Sequence, residues 1–306
     1  MNAIVKELEQ DTALIKEWFE HMHRNPELSM QEARTAEYIA EQLRSFGAYE
    51  IATGVGKHGI VATLKAGNGD TVIGLRADFD ALPIEEQNDL PYKSTVEGVS
   101  HLCGHDGHSA MLLGAARYLA RTKNFNGTVR LIFQPGEETM EGGPAMINDG
   151  LFERFPVDAV FGMHNIPGLE KGKFYFHPGE MMAAVDNWEV EIVGKGGHGG
   201  IPELTIDPVV AGSSVVVAIQ SIVSRNVAPA HRAVVTIGAF LAGNAGNVVA
   251  SHAILRLSVR TTTPEDREMV LGNIRRIVAH QAESFGCTSS IREGVPGAVL
   301  VNDASE

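Results

Sequence analysis

Apolar residues recur at helical spacing through residues 4–23, where Leu8, Leu14, Ile15, Trp18 and Phe19 share one face and Asn25-Pro26 stops the run. A second helix is predicted over residues 33–46. Ser29 and Glu32 stand three apart like the halves of a capping box, and Gly47 closes the far end. From Gly59 the period shortens. IVATLK (60–65) and TVIGLRA (71–77) are apolar enough for buried strands, with a turn at Gly67-Asn68-Gly69 between them. A helix over about 109–121, the strand TVRLIF (128–133), a short helix over 144–149 and the strand AVFGM (159–163) follow. Alternating strands and helices predict an α/β domain with a mostly parallel sheet.

The pattern changes near Met181. Strands are predicted over 183–193, RAVVTIGAF (232–240), AILRLSVRT (253–261) and 288–292. Helices fall at 208–224, opened by Asp207-Pro208, and at 264–284, with Glu265 and Asp266 in the first turn. The order strand, helix, strand, strand, helix, strand is that of a ferredoxin-like α+β domain of about 110 residues. The expected organisation is a first domain over 1–181, an inserted small domain over 182–294, and a return toward the first domain over 295–306. No repeat, low-complexity tract or long linker interrupts this plan.

The composition is that of a soluble globular protein: 306 residues, 44% hydrophobic and 21% charged. A net charge of -13 without a lysine-arginine cluster argues against a nucleic-acid partner. No apolar run reaches the roughly 18 residues of a membrane span, and the N-terminus lacks a signal peptide's basic and apolar regions, so a cytoplasmic location without a membrane partner is expected. Two cysteines, Cys103 and Cys287, rule out a disulfide framework.

Chemistry concentrates in HLCGHDGH (101–108) and QPGEE (134–138). Thiolate and imidazole two residues apart, with Gly104 between them, can turn toward one cation, so Cys103 and His105 are candidate metal ligands. A hydrogen-bonded histidine beside a buried thiol is the plainer alternative. If Glu138 binds the cation, Glu137 is free to move protons. Asp106 and His108 either orient a ligand or serve as capping or core residues, and His101 is read as structural. Asp78, the Glu137-Glu138 pair and His164 each follow a candidate strand, where loops converge at the carboxyl edge of an open sheet. GKGGHGG (194–200) lacks the lysine-serine/threonine of a phosphate-binding loop. It offers His198 instead as a donor on a glycine-rich arm, able to stabilise an oxyanion.

RADFDALPIEE, HLCGHDGHSA, FQPGEE, GMHN and GKGGHGGIPELTIDP, in this order and spacing, resemble the metal-dependent N-acyl-amino-acid amidohydrolases. That group includes hippurate hydrolases, plant auxin-conjugate hydrolases, aminoacylase-like enzymes and some carboxypeptidases. The resemblance covers essentially the whole chain. It implies a metallohydrolase catalytic domain with an inserted ferredoxin-like dimerisation domain. By the resemblance, Cys103, His105, Glu138 and His164 hold divalent metal, two ions per site, as zinc, manganese, cobalt or nickel. Glu137 is then the general base acting on a metal-activated water, and Asp78 supports a ligand from behind. His198 reaches the active site of a partner in a homodimer, and Asn247 holds the carboxylate of a small N-acyl amino acid or conjugate. Pro202-Glu203 stands where the family has proline-histidine, and Asn247-Val248-Val249-Ala250 where it has Asn-x-Ile-Pro; both positions bear on substrate fit. Family members continue beyond the equivalent of VNDASE with one more histidine ligand. The alternative expectation is therefore a truncated, catalytically impaired homologue that binds a small ligand or dimerises.

Overall fold

The first amphipathic run breaks in two at Asp11. Helix α1 covers Ala3–Glu9 and α2 covers Thr12–Arg24. Between them the buried Asp11 carboxylate takes Arg117 on one oxygen at 3.0 Å and Arg121 on the other at 3.1 Å. Helix α3, Ala33–Ser45, has no side-chain cap. The expected capping box is absent because both partners are recruited elsewhere: Ser29 Oγ donates to Asp80 at 2.7 Å, and Glu32 Oε1 accepts from the N–H groups of Met30 and Gly136. These features belong to the computed structural model, which describes residues 3–306.

The chain divides into two units, the first ending at Lys173 and the second spanning Phe174–Glu306. In the first, strands β1 (Glu50–Val55), β2 (Gly59–Ala66), β3 (Val72–Asp78), β4 (Gly127–Gln134) and β5 (Ala159–Gly162) form one sheet in the order β1-β2-β4-β3-β5. This sheet is mixed and corrects the expectation of a mostly parallel one: β3 runs parallel to β4 and β5, whereas β2 runs antiparallel to both β1 and β4. The short β1–β2 connection permits only antiparallel pairing. The crossover through helix α4 (His105–Thr122) returns the chain parallel to β3 and seats β4 between β2 and β3.

Strand alternation sorts the core into two layers. Ile60 and Ala62 of β2 and Leu131 and Phe133 of β4 pack with Trp18, Met22, Ile39, Leu43 and Leu113 from α2, α3 and α4. Val61 and Ile132, from the same strands, pack instead with Met146 and Leu151 of α5 (Gly142–Asn148) and α6 (Leu151–Arg154). The parallel register, with Asp78 opposite Gln134 and Arg76 opposite Gly162, brings the carboxyl ends of β3, β4 and β5 to one edge. Ser109 in the first turns of α4 donates to the carbonyl of Asp78, which ties that helix start to the same edge.

The second unit opens with β6 (Gly179–Met182), β7 (Ala184–Val193), β8 (Gly197–His198) and helix α7 (Pro208–Arg225). Strands β9 (Ala233–Ala242), β10 (Val248–Val249) and β11 (His252–Thr261), helix α8 (Pro264–Ser284), and strands β12 (Thr288–Glu293) and β13 (Leu300–Asn302) follow. Four strands make an antiparallel sheet in the order β12-β7-β11-β9, which splits each strand-helix-strand unit around a strand of the other. Asp207 caps α7 and Thr263 caps α8, each with proline in the first turn. By length and composition α7 could cross a membrane, yet its Ala211, Val215, Ile219 and Ile222 are buried with the sheet and α8, the setting of a core helix. Residues 295–306 are placed with the second unit. β13 pairs with β6 and Gly297 bridges Val185, so both ends of this segment stay with the second unit and the boundary falls after Lys173.

Candidate metal centre

Four chain segments supply the centre. Asp78 and Asp80 end and follow β3, Glu137 and Glu138 follow β4, His164 follows β5, and Cys103, His105 and His108 bracket the start of α4. Helix α4 begins at His105, four residues earlier than the sequence pattern suggests, so this imidazole sits on a helix rather than a loop. Gly104 adopts a φ of 99°, and a Cβ there would lie 2.2 Å from the Asn165 side-chain oxygen. Only glycine lets the chain turn from Cys103 into the helix.

His105 is fully buried and its two nitrogens are in opposite situations. Nδ1 lies 3.1 Å from Asp80 Oδ1 and 3.0 Å from the Asp80 carbonyl, so it carries the hydrogen. Among the described residues Nε2 has no hydrogen-bond partner, and it faces Asp78 Oδ2 at 3.8 Å, Glu138 Oε1 at 3.8 Å and Glu137 Oε2 at 3.9 Å. Glu138 Oε1 is likewise buried without a partner. Two orphaned lone pairs this close are costly unless something binds both. Donors at about 2.0–2.3 Å from a shared cation stand no more than about 4.6 Å apart, so the spacing fits a divalent metal.

On the exposed side, Cys103 Sγ lies 3.3 Å from His164 Nε2, while His164 Nδ1 donates to the carbonyl of Asn165 at 2.7 Å. The Nε2 lone pair is thus turned toward the thiol. Single donor atoms of Cys103, His105 and His164 lie within 4.8 Å of one another, as do those of His105, Glu137 and Glu138. His105 joins the two groups, and thiolate, imidazole and carboxylate together are a donor set for a transition metal.

Electrostatics bind the cluster further. Burial opposes the imidazolium of His105, but the hydrogen bond to Asp80, the neighbouring Cys103 and the charges of Asp78 and Asp80 push its pKa up to about 11, so a cation binding at Nε2 would displace a proton. The neighbouring His105 and the His164 it bonds draw the Cys103 thiol down toward the thiolate a metal requires. Burial raises Glu138, partly offset by His105. Burial also works against ionised Asp78, yet hydrogen bonding to His108 and the charge of Arg76 hold it below the usual carboxylate range.

His108 and Asp106 part company. His108 stands behind the centre, 2.6 Å from Asp78 Oδ1 through Nδ1 and 2.6 Å from the Asn165 side-chain oxygen through Nε2, with its ring 4.6 Å from that of His164. Asp106 turns away. It accepts the Gly107 N–H and meets His23 Nδ1 at 2.6 Å, while His23 Nε2 meets Glu86 at 3.2 Å. His101 is buried, with neither ring nitrogen partnered among the described residues, and burial lowers its pKa to about 4.

Three participants escaped the sequence reading. Asp80 holds His105 on one oxygen and the Glu138 N–H on the other, Asn165 bonds His108, and Glu32 bonds Gly136. The Asp-x-Asp after β3 was the available signal for Asp80. In the second unit, His198 stands opposite Val248 across the β8–β10 pair, and Gly199 N–H donates to the carbonyl of Asn247 at 2.8 Å. Both His198 and Asn247 are exposed, and Gly200 N–H donates to His198 Nδ1 at 2.9 Å, which leaves Nε2 to carry the ring hydrogen.

A model of peptidase family M20/M25/M40 matches residues 74–293. The hippurate hydrolase of Campylobacter jejuni is 49% identical over 282 residues, covering 92% of this chain and 73% of the relative. The N-acetylcysteine deacetylase of Bacillus subtilis is 40% identical over 89% of this chain and 71% of its own length. Among solved structures, the Bacillus subtilis YXEP protein, a dinuclear metal binding peptidase from the M20 family, superposes with a TM-score of 0.78 at 33% identity. That match covers 97% of this chain and 77% of the other.

Proposed function

This chain belongs to peptidase family M20/M25/M40 and is a hydrolase, and from that premise we propose that it cleaves the amide bond of N-acyl amino acids or related small conjugates. The observation that carries the reading is the pair of orphaned, buried atoms, His105 Nε2 and Glu138 Oε1, held 3.8 Å apart beside Glu137. Relatives named for hippurate and N-acetylcysteine support the substrate class.

Cys103, His105, Glu138 and His164 would hold two divalent ions, as zinc, manganese, cobalt or nickel. When bound, such ions supply Lewis acidity to the scissile carbonyl and acidity to the attacking water. Glu137 is the general base. Its side chain is more exposed than that of Glu138, and it takes the water's proton and delivers it to the departing nitrogen. Asp80 and Asn165 fix the ring orientations of His105 and His164, and His108 with Arg76 keeps Asp78 ionised behind them.

The second unit is read as a ferredoxin-like satellite inserted in the catalytic domain and pairing two subunits. Its outer strand β9 has a free edge carrying exposed Val234 and Leu241, and α7 exposes Val210 and Val217. His198, with Nε2 as donor, serves the oxyanion in the partner's active site, and the neighbouring Asn247 holds the substrate carboxylate. A cytoplasmic location completes the reading. The test is hydrolysis of a panel of N-acyl amino acids by the purified chain before chelation, after it, and after each metal is restored. Turnover that disappears and returns supports the reading; turnover indifferent to chelation defeats it.

A further inference from the structure

Glu137 lies between two backbone amides, and each is anchored on a buried carboxylate. The N–H of Glu138 donates to Asp80 Oδ2 at 2.9 Å, and the N–H of Gly136 donates to Glu32 Oε1 at 2.8 Å. Glu32 is fully buried, 104 residues away in sequence, and the same oxygen also accepts the Met30 N–H at 2.7 Å. Its other oxygen has no partner among the described residues, although a buried carboxylate with an orphaned oxygen costs more than an apolar side chain would. Burial raises its pKa. The grip is close-fitting: Gly136 has a φ of 56°, a Cβ there would meet Met30 Sδ at 2.6 Å, and the Gly136 carbonyl accepts from Gly142 N–H at 3.0 Å.

We propose that Glu32 is a positioning residue for the proposed hydrolysis, acting through the Gly136 amide to hold the turn that presents Glu137 and Glu138. The proposal rests on the functional reading above. Ser29, three residues before Glu32, reinforces the second anchor by donating to the Asp80 oxygen that also receives Glu138. The segment 29–32 thus supports both amides flanking Glu137. Misplacing a general base by a fraction of its reach lowers turnover far more than binding.

The test compares Glu32→Ala, Glu32→Gln and Glu32→Asp in the full chain by amide hydrogen exchange over residues 134–140 and by steady-state hydrolysis of N-benzoylglycine. Glu32→Ala is expected to speed exchange in that turn and lower kcat by about 100-fold while KM stays within about threefold. Glu32→Gln keeps an oxygen that accepts both N–H groups and is expected to restore slow exchange and most of kcat. Should the alanine variant fail to fold, the aspartate, one methylene short, is expected to move exchange and kcat in the same directions. Unchanged exchange in the turn, or unchanged kcat per folded molecule, overturns the proposal. If the unaltered chain does not hydrolyse the probe, the functional reading fails, while the exchange comparison still decides whether Glu32 holds the turn.

Discussion

Asp80 Oδ1 sits 3.1 Å from His105 Nδ1, and together with the Asp80 carbonyl at 3.0 Å it decides which nitrogen of a fully buried ring is left to bind something else. With Nδ1 committed as a donor, the Nε2 lone pair faces the carboxylates of Asp78, Glu137 and Glu138. A carboxylate behind a ligating imidazole fixes its orientation and raises its basicity.

Asp80→Ala removes the carboxylate behind His105 and the anchor of the Glu138 amide together, leaving Nδ1 only the carbonyl of residue 80. Metal affinity is expected to fall by about 10- to 100-fold, read by titrating the chelated protein with cobalt or zinc. Equal affinity in the variant would mean that His105 does not bind through a ring fixed by Asp80.

Much of this was legible in the chain because it is local. Helix α8 runs Pro264–Ser284, as its spacing and acidic first turn predict, and Asp207 and Thr263 cap the helices they precede. Cys103, His105 and His108 of HLCGHDGH and Glu137 and Glu138 of QPGEE do converge, since each segment follows a strand or opens a helix at one sheet edge. What the pattern hid depends on distant partners. The placement of β4 between β2 and β3 is a matter of strand pairing, which alternation cannot express. Ser29 and Glu32 have the spacing of a capping box, but a hydroxyl and a carboxylate bond whichever donor or acceptor the fold brings nearest. Here those are Asp80 and Gly136. Asp106 could be read from the sequence as orienting a ligand or as a capping or core residue; successive residues on a helix face different ways, and it bonds His23.

His23 makes stability depend on pH. Hydrogen bonding to Asp106, opposed by burial and aided by Glu86, raises its pKa above the ordinary 6.5. Folded His23 therefore holds its proton more tightly than unfolded His23. Its contribution is complete below pH 6.5 and is lost as pH rises through the folded value. In urea unfolding of chelated protein, the gap in stability between wild type and His23→Gln is expected to shrink as pH rises from 6 to about 9. A gap that widens with pH contradicts this assignment.

Helix α7 passes from core to exposed surface within two residues. Ile219 is 0% exposed and Val217 is 73% exposed. Ile219→Ala is expected to destabilise the second unit by about 2–4 kcal/mol in denaturant unfolding. Val217→Glu should change stability by no more than about 0.5 kcal/mol, yet convert a dimer to a monomer in sedimentation velocity. A Val217→Glu protein that remains dimeric removes α7 from the proposed subunit contact.

We assign proton transfer to Glu137 and metal binding to its neighbour Glu138. The most direct measurement is kcat for an N-acyl amino acid with Glu137→Gln, on protein whose metal content is determined in the same preparation. A fall in kcat of about 100- to 10,000-fold at unchanged metal content is expected. Full turnover by the variant with its metal in place would contradict the assignment and return the role of base to another residue.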